Sequence, residues 1–204
     1  MDMQNIEVGD LAVSIPVEYA RLNRMPDDPP QMVAYATQTE QADCVMFLQP
    51  IPAEHAMPFN DERAVINGIH QSLADDQGLI EVVSGTTDAK RNVIWSIVKT
   101  VSRTEGAQYG LTLHLAYPES VLQVQAFANE TGITGMRDAQ IYELARKRGR
   151  VDEQGRGWTR DPYDDDYRRG ILMNLSEDDQ FDDAFPDHPL SVIRRLAGML
   201  ISYN

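Results

Sequence analysis

Residues 109–117 read Tyr109-Gly110-Leu111-Thr112-Leu113-His114-Leu115-Ala116-Tyr117. Tyr109, Leu111, Leu113, Leu115 and Tyr117 occupy one side of a period-2 pattern, with Thr112, His114 and Ala116 on the other. The alternation predicts a β-strand with one strongly apolar face, which must lie under a helix, and one mixed face. Segments 79–84, 92–102 and 121–128 read as strands on either side of it. The turns between them are Gly85-Thr86-Thr87-Asp88, Thr104-Glu105-Gly106 and Pro118-Glu119-Ser120. None can hold the dozen or so residues of a parallel crossover, so the four strands form an antiparallel meander.

Working toward the N-terminus, Leu11, Val13 and Ile15 alternate with Ala12 and Ser14 before Pro16, and residues 19–22 continue that strand. The run Met25-Pro26-Asp27-Asp28-Pro29-Pro30 is a loop, because its prolines fix φ and remove donors. Strands follow at 32–37 and 44–49, with a turn at 38–41, until Pro50, Pro52 and Pro58 lead the chain away. A helix then begins at an Asn60 cap, has Asp61 and Glu62 at its positive pole, and ends near Ala74. Val65, Ile66, Ile69 and Leu73 form its apolar stripe. Beyond the meander, a second helix spans about 136–148, with Ile141, Leu144 and Ala145 inward and a cationic last turn. The fold class is thus α/β (α+β): a six- or seven-stranded antiparallel sheet flanked by helices, occupying residues 1–150.

Residues 151–204 differ in kind. Between 151 and 190 stand twelve acids against four arginines, a local balance of −8 within the chain's −14. Trp158, Tyr163, Tyr167, Phe181 and Phe185 are too many aromatics for a purely solvating tail, so the extension is expected to dock. Ser176 and Glu177 look like a capping-box start for a short helix. Asp187-His188-Pro189 opens a last helix, with Leu190, Ile193, Leu196, Ala197, Leu200 and Ile201 as its stripe and Arg194 and Arg195 outward.

With 204 residues, pI near 4.6 and one cysteine, disulfide scaffolds and nucleic-acid binding through the overall field are excluded. The acidic N-terminus lacks the basic and apolar regions of a secretory signal, and no apolar run approaches 18 residues. A cytoplasmic protein without membrane contact is expected. Cys44, in an apolar run with no cationic neighbour, reads as a buried thiol.

Chemistry is conspicuous by what is missing. There is no phosphate-cradling Gly-x-x-x-x-Gly-Lys, and no Gly-x-Ser-x-Gly nucleophile elbow. His55, His70, His114 and His188 are scattered, and with one cysteine they make no zinc motif. Counted from Asp164, positions six and twelve are Arg169 and Leu175, which rules out an EF-hand. No catalytic residue, metal or cofactor is therefore assigned, and the protein is not expected to be an enzyme. The interaction candidate is the acidic aromatic run Trp158, Tyr163, Asp164, Asp165, Asp166 and Tyr167, which suits a protein partner with a basic surface. The competing expectation is that its aromatics anchor the tail to its own domain, over the basic patch Arg146–Arg150.

The order of elements over residues 5–148, with Ile15-Pro16-Val17-Glu18-Tyr19 closing the first strand and Gly106 and Pro118 in the meander turns, resembles the PsbP-like fold. That group includes photosystem extrinsic subunits, a Ran-binding import factor and bacterial DcrB-like proteins. The resemblance implies a non-enzymatic binding or adaptor protein, chaperone-like in some bacterial members, and carries over no site residue. The alternative is a small-molecule binder or hydrolase with a pocket of several hundred Å3 on the mixed sheet face. A third expectation is that the tail mimics a partner and competes for a basic surface.

Overall fold

The computed structural model describes residues 2–102 and 106–204, so the Thr104-Glu105 part of the predicted turn lies outside the described residues. A hairpin of β1 (Met3–Val8) and β2 (Leu11–Pro16) precedes the main sheet. The sheet comprises β3 (Ala20–Arg21), β4 (Val33–Gln38), β5 (Ala42–Ile51), β6 (Gln77–Thr86), β7 (Asn92–Ser102), β8 (Gly106–Ala116) and β9 (Val121–Glu130). Its order is β3-β4-β5-β9-β8-β7-β6, and every neighbouring pair is antiparallel. The predicted helix-flanked antiparallel sheet is therefore the observed architecture. One strand is reassigned. Residues 11–16 leave the sheet because 3–8, which shows little alternation, pairs with them around Gly9 at φ +58°.

The α-helices among the described residues are α1 (Glu62–Ser72), α2 (Met136–Lys147) and α3 (Pro189–Tyr203), and α1 and α3 lie on the sheet. The apolar face of β8 lies under α3, whose Leu190, Ile193, Leu196, Ala197 and Leu200 are buried against Met46, Leu48, Leu111, Leu113 and Val124. The opposite face is covered by α1 over β6 and β7, where Val65 and Leu73 meet Leu79, Val82 and Ile94. The α1 cap is Asp61 rather than Asn60: its Oδ1 accepts from the Ala64 amide at 2.9 Å. Helix α2 packs on the turn Leu175–Glu177. Cys44 is buried as expected, and burial pushes its thiol up to about 11, well out of nucleophilic range.

A polar network fastens the C-terminal segment. Lys99 lies on the inward phase of β7 and donates to both Glu177 oxygens, at 2.7 and 3.0 Å. The Tyr109 hydroxyl and the Asn174 amide also donate to Glu177, at 2.9 and 2.7 Å. Burial, then the Glu177 charge, holds the Tyr109 hydroxyl well above its usual range and hence protonated. The capping box forms between Asn174 and Glu177, its cap two residues before Ser176, and opens a 3₁₀ turn; the short helix expected around Phe181 follows as a 3₁₀ helix, Asp179–Ala184, capped by Asp178. Arg137, 1 % exposed, donates to the Ser176 carbonyl, the Ser191 hydroxyl and the Asp178 carbonyl. Arg194, expected outward, instead pairs with Glu81 at 2.6 Å and Asp182 at 3.3 Å, with its side chain 11 % exposed. Burying three cations this deeply is possible because each finds several acceptors.

Two buried histidines make stability pH-dependent. Burial lowers His114 to about 4; burial, with Arg137 and Arg194 adding to it, lowers His188 to about 3. A histidine held neutral in the folded state binds fewer protons than in the unfolded chain. Its contribution is complete above the unfolded value near 6.5 and is lost as pH falls toward the folded one. The thermal midpoint should therefore drop between pH 6.5 and 4. In the double variant His114→Gln/His188→Asn, whose Asn still caps α3, scanning calorimetry should record a distinctly flatter profile. An unchanged slope would assign the acid sensitivity elsewhere.

Candidate functional site

The acidic aromatic run folds as a closed loop. A two-residue ladder, β10 (Thr159–Arg160) with β11 (Met173–Asn174), brings the ends of segment 161–172 together. A compact surface loop with paired ends is an Ω-loop, a form that often carries function.

Three anchors hold it against α1 and the β6 edge. Asp161, 4 % exposed, accepts the Tyr163 and Asp164 amides through Oδ1 and meets His70 Nε2 through Oδ2 at 3.0 Å. The Tyr167 ring stacks on His70 at 4.1 Å, and its hydroxyl donates to the His70 carbonyl. The Tyr163 hydroxyl accepts from the Val82 amide at 2.5 Å and donates to its carbonyl at 3.2 Å. Burial raises that hydroxyl above its usual value, so it stays protonated and serves both contacts. At the far end, the Ile171 amide donates to the Gln77 carbonyl at 2.8 Å. This approach needs glycine: a Cβ on Gly78 would overlap the Ile171 carbonyl, and one on Gly170 the Gln77 carbonyl. The loop thereby occupies backbone groups of an edge strand that would otherwise invite pairing with another chain.

The six candidate residues are thus divided by role and place. Tyr163 and Tyr167 point to the domain. Trp158 lies before the loop, edge-on to Tyr142 of α2 at 5.0 Å. Asp164, Asp165 and Asp166 are exposed at the loop tip. Asp164 Oδ1 accepts the Asp166 amide, and among the described residues none of the three forms an ion pair. Tyr163 and Tyr167 anchor the loop to its own domain, on β6 and α1 rather than over Arg146–Arg150, and the exposed carboxylates of Asp164, Asp165 and Asp166 lie between them. No sequence signal pointed to the pairing of 159–160 with 173–174, because two residues are too few to show an alternation.

The mixed sheet face holds His114 between neutral groups. Its Nδ1 accepts the Met57 amide at 2.8 Å, and Nε2 lies 3.0 Å from the Gln123 side-chain amide. An open hollow of about 370 Å3 on that face is lined by Ala36, Val45 and Asn129, and does not include His114. A larger cleft of about 520 Å3 lies elsewhere, between the β1–β2 turn and Pro118. Among the described residues no group of three His, Cys, Asp or Glu side chains is arranged to hold a metal ion, and no helix is long and apolar enough to cross a membrane.

No protein-family model matches the chain, and no curated protein is similar to it in sequence. Solved structures are similar in fold. The Ran-binding protein Mog1p of Saccharomyces cerevisiae is 8 % identical with a TM-score of 0.45, covering 70 % of this chain and 84 % of its own. A PsbP protein of the cyanobacterium Synechocystis is 11 % identical with a TM-score of 0.40, over 71 % and 88 % of the two chains. A Pseudomonas aeruginosa protein of unknown function is 10 % identical with a TM-score of 0.39, over 72 % and 92 %. A PsbP protein stands among these structural neighbours. At these identities no residue role passes from them to this chain.

Proposed function

We propose that the protein is a non-catalytic binding or adaptor protein that engages a basic surface of a protein partner through the tip of the 161–172 loop. One observation carries this reading. The loop's aromatics and Asp161 are spent on holding it in place, whereas Asp164, Asp165 and Asp166 face solvent and form no ion pair among the described residues. A rigidly mounted cluster of carboxylates meets a cationic partner with little ordering cost, and like-charged surfaces are rejected. His114 bonded to amide groups, not carboxylates, accords with a non-catalytic role.

The test is affinity capture with the immobilised chain and with its Asp164→Asn/Asp165→Asn/Asp166→Asn variant, followed by titration of the captured protein. The triple variant is expected to keep its thermal midpoint, because surface substitutions of this kind change stability by about 0.5 kcal/mol or less. Affinity should fall at least tenfold, and binding to the parent chain should weaken with added salt. Equal affinity of the two chains would rule the loop out.

A further inference from the structure

The sheet face opposite α3 is only half covered. Helix α1 lies over β6 and β7, but Val45, Phe47 and Phe127 on the outer phase of β5 and β9 belong to neither hydrophobic cluster. Phe47 and Phe127 meet edge-on at 6.5 Å, with Ala34, Ala36 and Gly110 beside them. The positions between are uncharged, Gln49, Thr112, Gln123 and Gln125, and Asp43 is the one charged residue on this face of β4, β5, β8 and β9. Aromatic enrichment with charge depletion marks the centre of an interface rather than ordinary solvent-facing sheet. At the β4–β5 turn the face is bordered by two acids, Glu40 in the turn and Asp43 on the outer phase of β5.

We propose that this half-face docks an amphipathic helix of a protein partner, with an uncharged apolar stripe and Lys or Arg flanks. Four strands at about 4.8 Å spacing present roughly 15–19 Å, room for a helix about 10 Å wide beside α1. Helix α1 itself shows that a helix seats on this face of the sheet. Charge selects the occupant's flanks: the acids at the rim and a net charge of −14 attract cations and repel anionic lipid. They also disfavour a second copy, and a face about 20 Å long offers roughly 300–400 Å2, against about 800 Å2 per partner in a stable dimer. This site lies over β4, β5, β9 and β8, away from the acidic loop held at α1 and the β6 edge, and uses none of its residues.

The probe is a labelled 18-residue peptide with Leu at helical spacing and Lys elsewhere, titrated into the full chain by fluorescence anisotropy and by NMR. Binding is expected with amide shifts confined to β4, β5, β8 and β9. Phe127→Ala should weaken it at least tenfold, as should Thr112→Arg, which leaves the aromatic pair intact and adds a repelling charge. The loop variant Asp164→Asn/Asp165→Asn/Asp166→Asn should change it less than threefold. The proposal is overturned if the shifts map elsewhere, if Thr112→Arg binds as the parent does, or if loop neutralisation abolishes binding. Equal binding of a Glu-for-Lys peptide, of phosphatidylglycerol vesicles, or of a second copy through this face in sedimentation runs would overturn it too.

Discussion

A chain ending at His188 is expected to show no cooperative unfolding transition. Helix α3 supplies six side chains of the main core, Leu190, Val192, Ile193, Leu196, Ala197 and Leu200, each at most 2 % exposed. Removing it uncovers the apolar phase of β5, β8 and β9, which no other helix covers among the described residues. The last residue adds a clamp, because the Asn204 side chain accepts the Ser14 amide at 2.8 Å and donates to its carbonyl at 2.9 Å. The point version of the experiment is Leu196→Ala, fully buried, expected to cost about 2–5 kcal/mol by lost transfer energy and cavity formation. Denaturant melts followed by circular dichroism check both. A shortened chain that unfolds sharply near the full-length midpoint would mean that the sheet is stable without this cover.

The second large effect concerns Lys99. Lys99→Met is expected to destabilise the protein by about 3–5 kcal/mol, because it leaves the Glu177 carboxylate buried without its cation. At 3 % and 1 % exposure, neither group of the pair has water to fall back on. For a chain of this size the loss corresponds to a midpoint shift of roughly 6–20 °C. Lys99→Met/Glu177→Gln should recover much of it, since the neutral amide oxygen still accepts from the Tyr109 hydroxyl or the Asn174 amide. The coupling energy of that double-mutant cycle is the diagnostic quantity. A single variant within 1 kcal/mol of the parent, or strictly additive effects, would show that the pair is not coupled.

How far the fold could be read in the sequence depended on the range of the interactions. The strand at 106–116 is legible because its side chains alternate locally, and the cap at His188 because Pro189 marks a first turn. The hairpin partner at 3–8 is not, since Met3-Gln4-Asn5-Ile6-Glu7-Val8 alternates weakly and is fixed by pairing with β2. Lys99 did leave a trace: it sits in phase with Val93, Trp95 and Ile97, and a lysine on the inward phase of a strand requires a buried acceptor. Which of 32 acids supplies it cannot be read along the chain, because Glu177 lies 78 residues away. Arg194 misleads for the same reason: its helical position looks exposed until Glu81 and Asp182 approach it.

For the candidate loop, the sequence by itself determined the residue types, aromatics and carboxylates concentrated between 158 and 167. It also determined an antiparallel sheet, because turns of a few residues cannot carry a crossover. Only the tertiary structure decided which acids are consumed at home, Asp161 on His70 and Glu177 on Lys99, and which remain at the loop tip. It likewise decided that α3 lies on β5, β8 and β9 of one sheet face while α1 lies on β6 and β7 of the other. Periodicity records which face of an element is apolar; what that face meets is set by contacts between residues far apart in the chain.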